Sequence, residues 1–239
     1  MLSNDISDWI QRQVARAGKK GVIIGLSGGI DSSVVAVLSK RALGDAVLGL
    51  ILPCQSARID ERLAMKLARA FDIWTKKVDL TAPFEQLSAS DHEPSQRALA
   101  NMKSRIRMVM LYYFANTLDY LVAGTGNKSE IMIGYFTKHG DGGCDILPLG
   151  SLLKREVRSL ARELAIPSEI IARPPTAGLW KGQTDEKEIA MSYEDLDESL
   201  AAIEDGRADN VDEEIMRKTR LLMRRSSHKR KKIPVFSKQ

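Results

Sequence analysis

Two cysteines are all that the 239 residues hold. Cys54 and Cys144 lie far apart and show no metal-ligand spacing. A disulfide framework is excluded, and two free thiols in a reducing cytoplasm are the expectation. No apolar run approaches the roughly 20 residues that a membrane span needs. Residues 1–5 show no basic start followed by an apolar stretch, so no signal peptide is expected and the cytoplasm is the expected location. Internal repeats and low-complexity segments are absent. Hydrophobic residues make up 44% of the chain, enough for a full core and too many for gross disorder. The length fits one α/β domain, or one domain with a small appendage.

Aromatic residues are also scarce, at 5%. Their scarcity bears on the net charge of +5, much of which sits near the end. Arg224, Arg225, His228, Lys229, Arg230, Lys231 and Lys232 cluster there. Such a run reads as a nucleic-acid patch, as a site for a phosphorylated small molecule, or as a solvated terminus. Few aromatics interleave it, which argues against base stacking.

The patterning of the rest is regular. Residues 3–17 form an amphipathic helical pattern with Ile6, Trp9, Ile10 and Val14 on one face. Strands are expected at 22–26, 46–52, 74–78 and 120–123, with helices at 34–43 and 60–71 between the first three. That β-α-β-α-β series favours a parallel, doubly wound sheet. A long helix is expected over 95–117, where Leu99, Met102, Ile106, Val109, Tyr113 and Thr117 recur at helical spacing, as core or subunit interface. Further helices are expected at 152–164, 193–203 and 211–224. Residues 85–95 and 173–188 read as loops, and 85–95 and 176–190 as mobile ones.

Between the first strand and its helix stands Ser27-Gly28-Gly29-Ile30-Asp31-Ser32. A strand, a glycine turn and a helix start in that order make an anion site. Glycine lets the backbone approach a phosphate, and the helix N-terminus holds the charge. The Lys of the GxxxxGK[ST] loop is missing, which suggests attack at the α-phosphate of ATP rather than the γ-phosphate. In an open parallel sheet, ligands bind beyond the carboxyl ends of the strands. The loop after the fourth strand, from Gly124 to Glu130, lies there too. Asp31 and Glu130 each stand near a helix start. Either is a favourable dipole contact taken alone. Together, flanking a phosphate loop, they make a case for Mg²⁺. The loop Phe136–Asp145 carries a cation and two acids among its glycines. The stretch Pro174–Glu186 sets Trp180 among polar residues, as a closing lid would.

The loop Ser27–Ser32 resembles the pyrophosphate-binding loop of the N-type ATP pyrophosphatases. With Gly124-Thr125-Gly126-Asn127-Lys128-Ser129-Glu130, the segments 134–145 and 174–186, and His228-Lys229-Arg230, the chain resembles the NAD synthetases. These segments span nearly its whole length. The resemblance implies a Rossmann-like doubly wound sheet of the adenine nucleotide α-hydrolase-like type, in one domain over 1–239. It implies amidation of deamido-NAD by ammonia at the expense of ATP, giving NAD, AMP and pyrophosphate through an acyl adenylate. It assigns Gly25, Leu26, Ser27, Gly28, Gly29, Ile30, Asp31, Ser32, Thr125, Lys154 and Thr176 to ATP. Arg105, Arg107, Lys138, Asp145, His228 and Lys229 fall to deamido-NAD, which turns the basic tail 224–239 toward the dinucleotide. Asp31 and Glu130 fall to Mg²⁺, and Asp31, Glu130 and Lys154 to catalysis. A homodimer is implied as well. Arg105 and Arg107 point roughly 200° apart on a helix, so one of them is expected to touch substrate. Arg107 is that one, and Arg105 is left for a structural or interface salt bridge.

Ile30 and Ser33 depart from the Gln and Thr common in the family loop. Gly126-Asn127-Lys128-Ser129 differs from the Asp-His-Ala-Ala form of many bacterial members. No cysteine sits in a glutaminase context, and no nitrilase-like domain precedes the first strand, so free ammonia is the expected nitrogen source; a separate glutaminase partner stays open. Two other readings stand beside this one: another amidotransferase of the ATP-pyrophosphatase type, and a tRNA-modifying adenylating enzyme.

Overall fold

The computed structural model describes residues 1–89, 93–180, 182–207 and 211–237. Four short strands form one sheet: β1 (Gly21–Gly25), β2 (Val47–Ile51), β3 (Trp74–Lys77) and β4 (Tyr120–Val122). All pairings are parallel, in the order β3-β2-β1-β4. The helices are α1 (Leu2–Arg16), α2 (Ile30–Leu43), α3 (Arg58–Ala70), α4 (Thr81–Ser88), α5 (Gln96–Leu118), α6 (Lys128–Ile133), α7 (Lys154–Glu163), α8 (Ser168–Ile171), α9 (Asp185–Ile189), α10 (Tyr193–Glu204), α11 (Glu213–Arg225) and α12 (Ser227–Arg230).

Strand periodicity sorts the core into two sides. Val22, Ile24, Val47 and Ile51 point to one face of the sheet and pack with α1, α2, α3 and α7. Ile23, Leu48, Leu50 and Val122 point to the other and meet α4 and α5. A parallel sheet covered on both faces is the doubly wound arrangement that the alternating pattern predicts. A third apolar cluster joins α6, α9 and α10 around Ile133, Leu153, Ile189, Tyr193 and Leu196.

Three expectations change. Residues 85–88 are helical, the end of α4, where Phe84 anchors one turn in the core; residues 90–92 of that expected loop lie outside the described residues. The expected loop 173–188 contains the start of α9, and Lys181 within it is outside the described residues. The stripe on α5 divides: Leu99, Met102 and Ile106 pack on the core, while Val109 and Tyr113 are 57% and 60% exposed. The packed face turns along the helix, continuing through Met110, Phe114 and Leu118, and leaves Val109 and Tyr113 at its edge. The short α12 had no periodic signal of its own.

Candidate active site

The chain leaves β1 for β2 and β3 on one side and returns to β4 on the other. Loops from the carboxyl ends of β1 and β4 therefore diverge and open a crevice. A cleft of about 1280 Å³ lies there.

The β1 loop is shaped by one glycine above all. Gly28 has φ +74°, and a Cβ there would stand 2.4 Å from the Asp60 carbonyl oxygen. No other residue combines that backbone with that approach. The turn is braced from within. The Ser27 and Ser32 hydroxyls lie 3.0 Å apart, Ser32 donates to the Gly29 carbonyl at 3.0 Å, and the Gly29 N–H donates to Ser27 Oγ at 3.2 Å. Gly29 caps α2 without a side chain, so the first N–H groups of α2 are open to an anion. Ser27, Gly29, Ile30, Asp31 and Ser32 line the cleft with Gly25 and Leu26. Gly28 does not; it acts on the loop's shape.

Asp31, Glu130 and Lys154 come from three helix starts and meet. Lys154 Nζ donates to Asp31 Oδ2 at 2.5 Å and reaches Glu130 Oε1 at 3.5 Å. Asn127 Nδ2 donates to Asp31 Oδ1 at 2.9 Å. Asn127 and Glu130 form a reciprocal capping box at the start of α6. Glu130 Oε2 is thus held by the Asn127 N–H at 3.2 Å, while Oε1 turns to the lysine. The dipole contact thus takes one oxygen of Glu130 and leaves the other facing the lysine.

Behind this triad stand groups that no local pattern announces. The Tyr193 hydroxyl lies 3.3 Å from Glu130 Oε1 and 3.1 Å from Asp185 Oδ2. Tyr135 donates toward Asp185 Oδ1 at 3.0 Å and Glu188 Oε2 at 2.6 Å. Burial pushes the Glu130 carboxyl up; Lys154 pulls it back and Asp31 adds repulsion, and the net direction is up. Asp185 also rises through burial, against Lys154 and the two tyrosines. Burial alone would lower Lys154, but the Asp31 and Glu130 carboxylates outweigh it and its pKa rises. The lysine is a fixed cation, and the pocket around it holds more carboxylate than one cation neutralises.

Two carboxylates beside a phosphate loop suit an ion that keeps its waters and takes phosphate oxygens. Asp31 and Glu130 are the residues able to hold one. Among the described residues, no cluster of three His, Cys, Asp or Glu side chains makes a metal cage by itself.

Basic residues line the cleft as well: Arg105, Arg107, Lys138, His228 and Lys229, together with Thr125 and Thr176. Thr176 ties its own loop, donating to the Gln183 carbonyl at 2.9 Å and accepting the Gly178 N–H at 3.1 Å. Lys229 Nζ donates to the Gly134 and Phe136 carbonyls at 2.7 and 2.6 Å, and burial lowers its pKa. Lys138 Nζ donates to the His228 carbonyl at 3.2 Å. Arg107 braces the loop after β2 through the Leu52 carbonyl at 3.1 Å and Ser56 Oγ at 3.0 Å.

Two residues stand apart from their expected places. Asp145 is exposed and does not line the cleft. It accepts from Tyr112 OH at 3.0 Å and from the Val122 N–H at 2.8 Å, closing the edge beyond β4. Arg105 makes no ion pair among the described residues; it donates to the Lys138 carbonyl at 3.4 Å. Trp180 is half-buried against the cleft rather than exposed. Of the residues that sequence reasoning missed, Asn127 was detectable, because Asn-x-x-Glu is a capping-box spacing. Asp185 and Tyr193 were not, since their contacts with Glu130 and Lys154 exist only in the fold.

The family model described as NAD synthase matches residues 2–233. An NH(3)-dependent NAD(+) synthetase of Carboxydothermus hydrogenoformans is 46% identical over 232 residues, 95% of this chain and 93% of that protein. Among solved structures, an NMN synthetase from Francisella tularensis superposes with a TM-score of 0.90 at 34% identity, covering 98% of this chain and 96% of that one. An NH3-dependent NAD synthetase from Campylobacter jejuni, in complex with the nitrate ion, gives 0.87 at 30% identity, covering 99% and 98%.

Proposed function

From the premise that this chain belongs to the NAD synthase family, we propose how its cleft carries out the ATP-dependent amidation of deamido-NAD by ammonia. The observation that carries the reading is the meeting of Asp31, Glu130 and Lys154 at the strand-order switch point, beside the glycine loop. ATP lies along the β1 loop, with its leaving pyrophosphate against the N–H groups of α2. The deamido-NAD carboxylate attacks the α-phosphorus, pyrophosphate departs, and an acyl adenylate forms. Ammonia then attacks the acyl carbon and AMP leaves.

Bringing anions together is the barrier of the first step. Fixed cations and N–H donors aimed at the phosphates lower it. Lys154 is such a cation, held by Asp31 before substrate arrives. Asp31 and Glu130 would hold Mg²⁺, which would supply further neutralisation of phosphate charge. Lys138, His228, Lys229, Arg105 and Arg107 are the basic residues for the dinucleotide. Arg107 acts on it through the loop that it braces. Asp145 meets a dinucleotide only from outside this cleft. Two copies of the chain pair through the exposed half of the α5 stripe.

The likeness to a protein titled NMN synthetase favours a second reading: the same amidation on the deamido mononucleotide. One assay separates them. The enzyme is given ATP, Mg²⁺ and either deamido-NAD or its mononucleotide counterpart, with ammonium or glutamine, and amide product and AMP are followed together. Equal NAD and AMP, with ammonium alone, is the expected result. Faster turnover of the mononucleotide would favour the second reading. No amide product from either would overturn both.

A further inference from the structure

Two residues of α10, one turn apart, contact two of the three helices that carry the triad of charged residues, α6 and α7. Tyr193, the first residue of α10, is 1% exposed. Its hydroxyl touches Glu130 of α6 and Asp185 of α9. Its ring lies 4.9 Å below Lys154 Nζ of α7. Four residues on, and so on the same helix face, Asp197 is also 1% exposed. One of its oxygens accepts from Ser129 Oγ, the other from the Arg155 N–H at 2.7 Å. Ser129 immediately precedes Glu130, and Arg155 immediately follows Lys154. Ser129 Oγ in turn accepts the Lys154 N–H at 3.0 Å. Asp197 thus holds the Ser129 side chain and the Arg155 backbone, the neighbours of both charged residues, and Tyr193 sets the spacing of their side chains.

Packing alone does not account for this pair. An apolar residue fills a buried place at less desolvation cost than a carboxylate, and Asp197 has no ion-pair partner among the described residues. Its donors are instead a hydroxyl on α6 and a backbone N–H in the first turn of α7, where a carboxylate suits the open N–H groups. A phenol has one proton, so Tyr193 gives it fully to only one of its two carboxylates. Phenylalanine would pack equally well and leave the carboxylate spacing unset.

We infer that Tyr193 and Asp197 are positioning residues for the reaction, together aligning Glu130 and Lys154 for the phosphates from the far side of α6 and α7. This inference rests on the site reading of Asp31, Glu130 and Lys154 given above. A misplacement of such charges by a fraction of an ångström slows the chemical step more than it weakens substrate binding.

The test compares Tyr193→Phe, Asp197→Asn and Asp31→Asn with the parent enzyme. Each variant's thermal midpoint is measured first, and all are then assayed ten degrees below the lowest one. Tyr193→Phe keeps the ring and is expected to lower kcat at least tenfold, with the KM for ATP and for deamido-NAD within twofold. Asp197→Asn is expected to show the same split. A kcat within twofold of the parent in both variants, whatever their thermal midpoints, would reduce the pair to packing residues and overturn the inference. A kcat and KM that fall and rise together would overturn it too, pointing to a loosened cleft. Asp31→Asn separates the two levels. Full activity there would sink the site reading itself; its loss beside an active Tyr193→Phe would sink only the role of α10.

Discussion

At the scale of single residues, the sequence was most readable where chemistry and local backbone coincide. Gly28 is the clearest case: the loop needs its φ of +74°, and the Asp60 carbonyl leaves no room for a Cβ. Gly28→Ala is expected to cost about 1 kcal/mol or more in stability, and to weaken ATP binding at least tenfold by titration calorimetry. ATP binding at parental strength would mean that the loop shape does not set the site. Asp31 and Glu130 were readable for a similar reason, each standing at a helix start beside a phosphate loop. Tyr193 and Asp185 were not. They are brought to Glu130 by tertiary packing, and single-sequence patterns carry no trace of such contacts. Cys144 shows the reverse, a residue in a suggestive loop with a quiet role. A Cβ on Gly124 would meet its sulfur at 2.6 Å, so the thiol fills the space that glycine leaves. Burial, then the nearby Asp145, pushes its pKa to about 11. At pH 8 about one thiol in a thousand is ionised at such a pKa, and thiolate is the reactive form. Alkylation by iodoacetamide in the folded protein is therefore expected to be slow at pH 8 and to quicken tenfold per pH unit toward 11. Rapid labelling of Cys144 at pH 8 would show an exposed, activated thiol instead.

Elements carry their own lesson. The helices with strong periodicity, α1 and α5, lie close to where their apolar spacing puts them, and the Ser95 side chain caps α5 through the Ala98 N–H. Short elements held by neighbours were misread. α4, α9 and α12 have too few turns for a period to show, and their stability comes from packing. α12 matters most for function. Through Lys229 it holds the Gly134 and Phe136 carbonyls, and it presents His228 to the cleft. Cutting the chain before Ser226 is expected to raise the KM for deamido-NAD at least tenfold and that for ATP less than threefold. Steady-state kinetics on the truncated protein checks this. An equal rise in both would mean that the cut disturbs the cleft as a whole. Among the described residues, the loop from Thr176 to Gln183 is tied mainly to itself, with two side-chain links outward: Lys103 donates to the Leu179 carbonyl at 3.1 Å, and Gln183 Nε2 donates to Glu188 Oε2 at 2.6 Å. Few links to the body leave such a loop free to respond to a ligand.

For the whole molecule, the doubly wound sheet was legible because strands and helices alternate in sequence as they alternate in layers. The position of the cleft followed from the strand order alone. The proposed pairing of two copies bears on α5. Val109 and Tyr113 stay exposed on a helix whose other apolar residues are covered, a face suited to a second copy of the chain. Tyr113→Glu is expected to halve the mass seen by analytical ultracentrifugation while leaving the far-UV spectrum unchanged. An unaltered mass would place any pairing surface elsewhere. One last consequence concerns time rather than space. Ser27 and Lys229 line the same cleft, though one belongs to the first strand's loop and the other to the last helix. On the ribosome the phosphate-binding turn is made early, and its lysine, its tyrosine and its basic wall arrive only later. On the reading proposed above, the nascent protein therefore carries the sequence of its phosphate loop long before it carries a complete reaction centre.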